Sequence, residues 1–568
     1  MSSRAWARPA AGREPAAAAL LAWLADPGAP RLCLVTGSPG CGKSQLLAWL
    51  VGHGTRPTTA AARRVHSFVP LGGQTARTTG WAIAGHLSVA ARTPGELVQA
   101  LAADTRPTVI VLPDLHAADD VPAVTELITA LHDLEQVRLI VEIRAGNLRA
   151  QSLFERAPAL MDLDEERWTD TTRRALWNAE HAESRQRAPQ ATVPDPGPDP
   201  DDPRAVCAAD PWAVCALYER SRNPHRGLRA AWLRAAQSLT REQAPGERAL
   251  VLRAALGDEA DPRLAQELDQ HSTGSTWQLL WTRVRGDIRP PWPGPARALA
   301  TGHAPAPQLL WVADHQGTVR AVNEADATPH GRLPHQAAPT RALAAGPDGT
   351  VLVLDAHGRV DAAKPASPAA PTGLQALLED HPSHLDTLLG AVNARLRACP
   401  GSALAAAGKG IAVADTEGAV HAFTPGAKTP MAHTAGRLHD GAVSALTAVE
   451  TASADGTAFL VYSGGTDGRV RAWRTDTEPL TSPVASRPCA VTALSAARTS
   501  AGLALAIGWA DGLVEHHGLD TGVLRRFFPG LPVRCVALTA DGHLVVGTDE
   551  TLTCLKVAER HTAAPLPG

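Results

Sequence analysis

Lysine is nearly missing from this chain: five of its 54 basic residues are lysines (Lys43, Lys364, Lys409, Lys428 and Lys556), and the rest are arginines. Aromatic residues are scarce as well, at 4%, and 14 of them are tryptophans. Such a bias most simply reflects a GC-rich genome, so the abundance of Ala, Arg and Pro carries little functional meaning. A lysine that survives is correspondingly informative. Net charge is lacking too, since 54 basic residues face 57 acidic ones and leave a formal charge of -3. That balance removes any global electrostatic reason to bind nucleic acid or an acidic membrane. The eight cysteines (Cys33, Cys41, Cys207, Cys215, Cys399, Cys489, Cys535 and Cys554) form no CxxC pair and no His/Cys cluster at zinc-ligand spacing. They read as small buried hydrophobes in a reducing, cytoplasmic compartment. No apolar run approaches membrane-spanning length. The short run centred on Ala17 to Leu24 follows Glu14 and closely precedes a glycine-rich loop, which suits a cytoplasmic helix better than a secretion signal.

At 568 residues the chain is too long for one core, and about three or four cooperative units are expected. The first lies at Arg31 to Val51, RLCLVTGSPGCGKSQLLAWLV, which reads as an apolar strand, a glycine-rich turn and an amphipathic helix. The turn, Gly37-Ser38-Pro39-Gly40-Cys41-Gly42-Lys43-Ser44, fits the P-loop pattern GxxxxGK[ST], and Gln45 follows it. In that pattern glycines let backbone N–H groups converge on phosphate oxygens at a helix amino terminus. Lys43 would reach the β- and γ-phosphates, and the Ser44 hydroxyl would ligate Mg²⁺.

Two further strands carry candidate site residues. PTVIVLPDLHAADD supplies Val109 to Leu112 followed by Pro113, Asp114, Leu115 and His116, and Asp114 is the best candidate for the acid that ends a Walker-B strand. VRLIVEIR is apolar from Leu139 to Ile143 apart from Glu142, and it ends in Arg144. A cation there, at the carboxyl edge of a parallel sheet, either senses a γ-phosphate or is simply a solvated strand end.

In order, the GRE at Gly12 to Glu14, the P-loop, LPDLHAAD, the Arg-ended strand and MDLDEERWTD (Met161 to Asp170) resemble the STAND class of AAA+-related P-loop ATPases. The resemblance covers roughly the first 170 residues. It implies ATP/ADP and Mg²⁺ as cofactors, Asp114 and Arg144 as catalytic residues, and Ser44 and Asp114 as metal residues. Families of this kind carry two acids in the form DDLHWAD. Here Pro113 occupies the first acid position and only Asp114 matches the second, so ATP binding is implied more strongly than hydrolysis. His116 matches the family but reads more readily as a loop cap.

After this unit (residues 1–168) comes a charged helix (169–187) and a Pro/Asp-rich linker (188–203), where repeated prolines exclude helix and central strand. Residues 204–272 alternate apolar and charged positions at helical intervals, with breaks at Asn223-Pro224 and Asp261-Pro262. Two to four packed helices are expected. Domain order implies that this block couples nucleotide state to rearrangement; the alternative is a helical spacer.

Residues 273–560 hold a repeat. A first strand recurs as ARALAT, TRALAA, SALAAA, VSALTA, VTALSA and RCVALT, and a second as LLWVAD, TVLVLD, GIAVAD, FLVYSG, LALAIG and HLVVGT. A third follows a tight turn as TVRAVN, RVDAAK, AVHAFT, RVRAWR, LVEHHG and TLTCLK. Strand, strand, hairpin, strand is the unit of a β-propeller blade. The turn glycines Gly317, Gly358, Gly418, Gly468 and Gly512 stand 41, 60, 50 and 44 residues apart, near the roughly 40–45 of WD repeats. The unit with Asp467 and Trp473 most resembles a WD repeat. The long interval before Gly418 reads as an inserted amphipathic helix, TGLQALLEDHPSHLDTLLGAVNARL. Six blades are visible, a seventh has room in distorted sequence, and TWQLLWTRVRG near Trp277 is expected to close the ring. A β-solenoid or sandwich is the competing architecture.

The expected fold is therefore a multidomain chain: an α/β P-loop NTPase unit, an α-helical middle and an all-β propeller. No nucleophile–base–orienter arrangement is recognisable in the carboxyl-terminal half. The expected function is an ATP-binding signal-transduction switch of bacterial type, in which the propeller recognises a protein partner or ligand. Nucleotide state would then control a nucleotide-dependent oligomer or a separate effector protein, with neither membrane nor nucleic acid as partner. Two alternatives stand beside it: a propeller scaffold with a structural nucleotide, and an active ATPase that remodels a client.

Overall fold

Runs of apolar residues without alternation, such as Leu32 to Val35 and Val109 to Leu112, belong in strands buried on both faces. In the computed structural model they are so placed. It describes residues 9–56, 58–144, 150–180, 197–292, 294–334, 338–346, 349–364, 384–424, 431–453 and 456–558. The chain forms two compact units, one of Met1–Pro198 with Asp210–Arg220, the other of Asp199–Ala209 with Ser221–Gly568.

The amino-terminal unit is built on five parallel strands: β1 (Leu32–Thr36), β2 (Ser67–Phe68), β3 (Thr108–Leu112), β4 (Val137–Glu142) and β5 (Ala159–Asp162), in the order β2-β3-β4-β1-β5. Its helices are α1 (Glu14–Ala25), α2 (Lys43–Gly54), α3 (Ala76–Leu87), α4 (Pro94–Ala102), α5 (Val121–His132), α6 (Gln151–Phe154) and α7 (Thr171–Glu180). Alternate strand residues serve opposite faces. Leu32, Leu34, Ile110, Leu112, Leu139 and Val141 pack with α3, α4 and α5, while Cys33, Val35, Val109, Val111 and Ile140 pack with α1 and α2. Both faces are thus covered.

Where two to four middle helices are expected, the described residues hold five: α8 (Pro203–Ala208), α9 (Pro211–Arg220), α10 (Leu228–Leu239), α11 (Pro245–Ala254) and α12 (Pro262–His271), of which α9 falls in the first unit and the others in the second. The break at Asn223-Pro224 is a turn in which His225 and Arg226 take positive φ. The Arg226 guanidinium holds it by ion pairs to Asp261 (3.1 Å) and Glu267 (2.7 Å). Asp261 caps α12 by accepting from the Arg263 N–H, with Pro262 in the first turn. Of the charged helix expected over 169–187, Thr171–Glu180 is helical; 181–187 and the linker residues 188–196 lie outside the described residues.

The repeat forms a six-bladed β-propeller. Its innermost strands are Ala298–Thr301, Thr340–Ala345, Gly401–Ala407, Val443–Ser453, Val491–Thr499 and Val533–Leu538, each opening one antiparallel sheet. Each is neighbour to the next, and the sixth returns to the first. The ring therefore closes with six and leaves no place for a seventh blade. The second blade has three strands among the described residues; the others have four. The closing strand is β6 (Trp277–Val284), which pairs antiparallel with Thr551–Val557 and so joins the start of the propeller to its last blade. The inserted helix is α13 (His384–Leu396), and the first part of the expected insertion, up to residue 383, lies outside the described residues.

Small residues set how closely the blades approach. Gly418 and Gly468, both at positive φ, would bring a Cβ to 2.2 Å from the His439 carbonyl and 2.1 Å from the Arg487 carbonyl of the following segment. No side chain fits there. Hydroxyls on the inner strands then bridge neighbouring blades: Ser444 Oγ donates to the Val491 carbonyl (2.5 Å), and the N–H groups of Ala496 and Leu538 donate to Thr447 Oγ1 (3.0 Å) and Ser495 Oγ (2.9 Å).

Helices and propeller of this unit are packed as one piece. Ser238 Oγ donates to the Phe528 carbonyl (2.9 Å), Thr282 Oγ1 donates to the Ala254 carbonyl (2.7 Å), and Arg234 pairs with Glu550 (3.0 Å). Gly530 lies so close to α10 that a Cβ would stand 2.4 Å from the Ala235 carbonyl.

The closing strand also creates a pH-sensitive contact. Trp277, 1% exposed, meets the buried His516 edge to face at 5.6 Å. Burial, followed by the nearby Arg525 and His517, pushes His516 down from 6.5 to about 4. The sign follows from linkage: above pH 6.5 the ring is neutral folded or unfolded, and below it the unfolded chain takes up a proton that the fold refuses. As pH falls from 6.5 towards 4, His516 should therefore cost the fold up to about 3 kcal/mol. Urea unfolding followed by tryptophan fluorescence should show a shallower loss of stability in that window for His516→Leu than for the wild type.

Candidate functional site

The glycine-rich turn leaves the carboxyl end of β1 and enters α2. Gly37, Gly40 and Gly42 have φ of 136°, 77° and 96°, a left-handed path that side chains resist. At Gly37 a Cβ would lie 2.8 Å from Cys41 Sγ, whereas one at Gly40 would meet no atom within 4 Å, so the loop is packed at its base and open at its crest. Ser38, Pro39, Gly40, Ser44 and Gln45 are exposed, and Lys43 is buried. Its ammonium donates to the Gly37 and Ser38 carbonyls, both at 2.9 Å. First-turn N–H groups have no partner within a helix, and at α2 they belong to the residues that open onto this crest. The arrangement sets backbone donors at a helix start beside one positive charge, and such donors suit an anion of phosphate type.

Beneath it sits Glu142, the last residue of β4 and 2% exposed. β4 lies between β3 and β1, and Glu142 is in register with Val35, two residues before the loop. The Ser44 hydroxyl donates to its carboxylate, 3.1 Å from Oε2 and 3.3 Å from Oε1. Burial raises the Glu142 pKa first, and the nearby Asp114 carboxylate raises it further, against the Ser44 hydrogen bond and the Lys43 charge. Asp114 follows the buried Pro113 at the end of β3, half-buried and at φ 61°. Arg144 and His116 are exposed, Arg144 two residues beyond Glu142 on the same strand end.

The fold thus gathers Gly37 to Gln45 with Asp114 at one sheet edge, and it adds Glu142, which reading the strand for apolar content passed over. The available signal was one glutamate in an otherwise apolar buried strand.

Two weaker sequence features hold the loop in shape. Arg13, 2% exposed, donates from Nε to the Cys41 carbonyl (3.0 Å) and from Nη1 to the Leu163 carbonyl (2.8 Å) and Thr169 Oγ1 (2.6 Å). Asp164 accepts from the Ser38 N–H (2.8 Å) and hydroxyl (2.7 Å). The segments GRE and MDLDEERWTD, far apart in sequence, therefore meet on the loop.

In the propeller, an aspartate ties the tight turn of five blades and the Thr548 hydroxyl that of the last. Asp314, Asp355 and Asp415 each accept two turn N–H groups. Asp467 accepts from the Arg469 N–H and faces His439 Nδ1 at 3.0 Å, while His439 Nε2 lies 2.9 Å from Ser463 Oγ. Ser463, His439 and Asp467 thus stand in nucleophile–base–orienter order, an arrangement not recognisable from the sequence. Ser463 is 0% exposed and His439 2%, so no substrate reaches the hydroxyl and the triad ties a strand to a turn. The channel along the axis is lined by small and apolar side chains, among them Ala344, Ala405, Thr447 and Ser495.

No family model and no curated protein matches the chain. Among solved structures, it is similar to the computationally designed Ika8 protein, at 15% identity over 46% of this chain and 71% of that one (TM-score 0.27). It is also similar to the WD40 β-propeller domain of Doa1, at 13% identity over 48% of this chain and 84% of that one (TM-score 0.31). The propeller assignment stands on the sheet order and ring closure themselves. Among the described residues no helix is long and apolar enough to cross a membrane.

Removing the Arg13 clamp takes its donors from the part-buried Cys41 contact and the buried Leu163 contact. Arg13→Ala should lower the unfolding free energy of the amino-terminal unit by about 2–4 kcal/mol, and amide exchange at residues 38–42 should accelerate. Unchanged exchange in the loop would show that the guanidinium does not restrain it.

Proposed function

We propose that the amino-terminal unit binds a nucleoside triphosphate, ATP by the STAND resemblance, and that its occupancy controls what the propeller-bearing unit engages. The observation that carries the first part is the loop: three left-handed glycines, a buried lysine and a helix amino terminus, all at the carboxyl edge of a parallel sheet. Gly37 to Ser44 would hold the phosphates, with Lys43 turning from its own loop carbonyls to phosphate oxygens and Gln45 at the loop's end. Arg144, exposed just beyond the neighbouring strand β4, would follow the terminal phosphate.

The residues present also suit Mg²⁺, because a hydroxyl and carboxylates supply the oxygen donors that a hard cation takes. Bound Mg²⁺ would neutralise phosphate charge. Pro113 withholds the family's first acid, and with Asp114 the acid left at the end of β3, binding is favoured over rapid turnover. In this reading Asp114 orients water at the site. A propeller offers rims of loops for protein recognition, and the partner is a protein or oligomeric ligand. Output then passes to a separate effector, as in a bacterial signalling or defence system.

Equilibrium dialysis of ATP against the full chain tests the nucleotide site. Lys43→Ala, which deletes one charge-assisted contact, should weaken binding by about 10- to 100-fold. A wild-type chain that binds no ATP at millimolar concentration would contradict the reading. A set of proteins captured from lysate that is identical for wild type and Lys43→Ala would favour the scaffold alternative over the switch.

A further inference from the structure

The acid missing at Pro113 has a counterpart one strand away. Pro113 ends β3 without a side-chain oxygen and is buried. Between β3 and the loop-bearing β1 runs β4, and its last residue, Glu142, brings both carboxylate oxygens to within 3.3 Å of the Ser44 hydroxyl. We propose that Glu142, paired with Ser44, is the acid that holds the divalent cation of a bound nucleotide, in place of the carboxylate that Pro113 cannot provide. The assignment rests on the nucleotide reading above and gives its metal site a residue that the resemblance does not name.

Three observations converge on it. Glu142 is 2% exposed, and a buried carboxylate calls for a cation or strong donors. The Lys43 ammonium, the positive charge of the loop, is engaged by the Gly37 and Ser38 carbonyls. The Ser44 hydroxyl, exposed in the first turn of α2, sets a second oxygen beside that carboxylate. The Glu142 carboxylate and the Ser44 hydroxyl under a phosphate-type loop offer oxygen donors alone, the chemistry of Mg²⁺ and not of a softer metal. Placement explains why the longer acid stands there: β4 is the strand next to β1, so a carboxylate at its end reaches α2 without crossing an intervening strand.

The test compares ATP affinity in Mg²⁺ and in EDTA for the full-length wild type, Glu142→Gln, Ser44→Ala and Asp114→Asn, by titration calorimetry. Wild type should bind more tightly with Mg²⁺. Glu142→Gln should lose about 10-fold or more of that gain while keeping its affinity in EDTA, which also reports that the loop is folded. Ser44→Ala should lose the gain in the same way, and Asp114→Asn should keep most of it. A full Mg²⁺ gain in Glu142→Gln, or its loss in Asp114→Asn alone, overturns the assignment and leaves nucleotide binding intact. Absence of ATP binding by the wild type in both buffers overturns the underlying reading instead.

Discussion

A carboxylate buried at the end of a parallel sheet must be answered by a donor or a cation, and the amino-terminal unit is organised around that demand at Glu142. The hydroxyl of Ser44 answers it from the first turn of α2. The same turn begins where Gly42 takes its left-handed φ and Lys43 folds back on the loop. Arg13 and Asp164 then fix the loop from the other side, so its crest stays open while its base is dense. Glu142, Arg13 and Asp164 are polar, lie at or just beyond element ends, and are held by partners remote in sequence. Such preorganisation lets a loop present several backbone donors without first having to order itself.

The second unit is governed by closure. Six sheets form a ring only if the last finds a partner, and β6 supplies it from the residues just after the helical block. Because β6 and α11 are joined by the Thr282 hydroxyl, and α10 rests on Gly530, the helices cannot shift without disturbing the final blade. A ligand held by the propeller would therefore act on helices and blades together. The helical block is better described as part of the propeller's closure than as a free coupler.

Much of this was legible in the sequence. The turn glycines from Gly317 to Gly512 are at positive φ as their hairpins require, the three strand families occupy the inner, second and third places of their blades, and the closing strand lies at Trp277. Periodicity reports local geometry well. It does not report which distant side chains converge, and this is why Glu142 read as an exception within an apolar strand and Arg13 as part of a weak motif. The Ser463–His439–Asp467 network escaped notice for the same reason, its members being 24 and 28 residues apart in sequence. The number of blades is also non-local: degenerate repeats allow six or seven, and only the return of Val533–Leu538 to Ala298–Thr301 decides for six.

The central claim is that the open loop at the edge of the parallel sheet is a nucleotide site. Hydrogen–deuterium exchange of the full chain, with and without ATP and Mg²⁺, tests it at the residues themselves. Protection confined to the amides from Gly40 to Gln45 and the ends of β3 and β4 is the predicted result. Exchange in these segments that stays unchanged at saturating ATP would contradict the account.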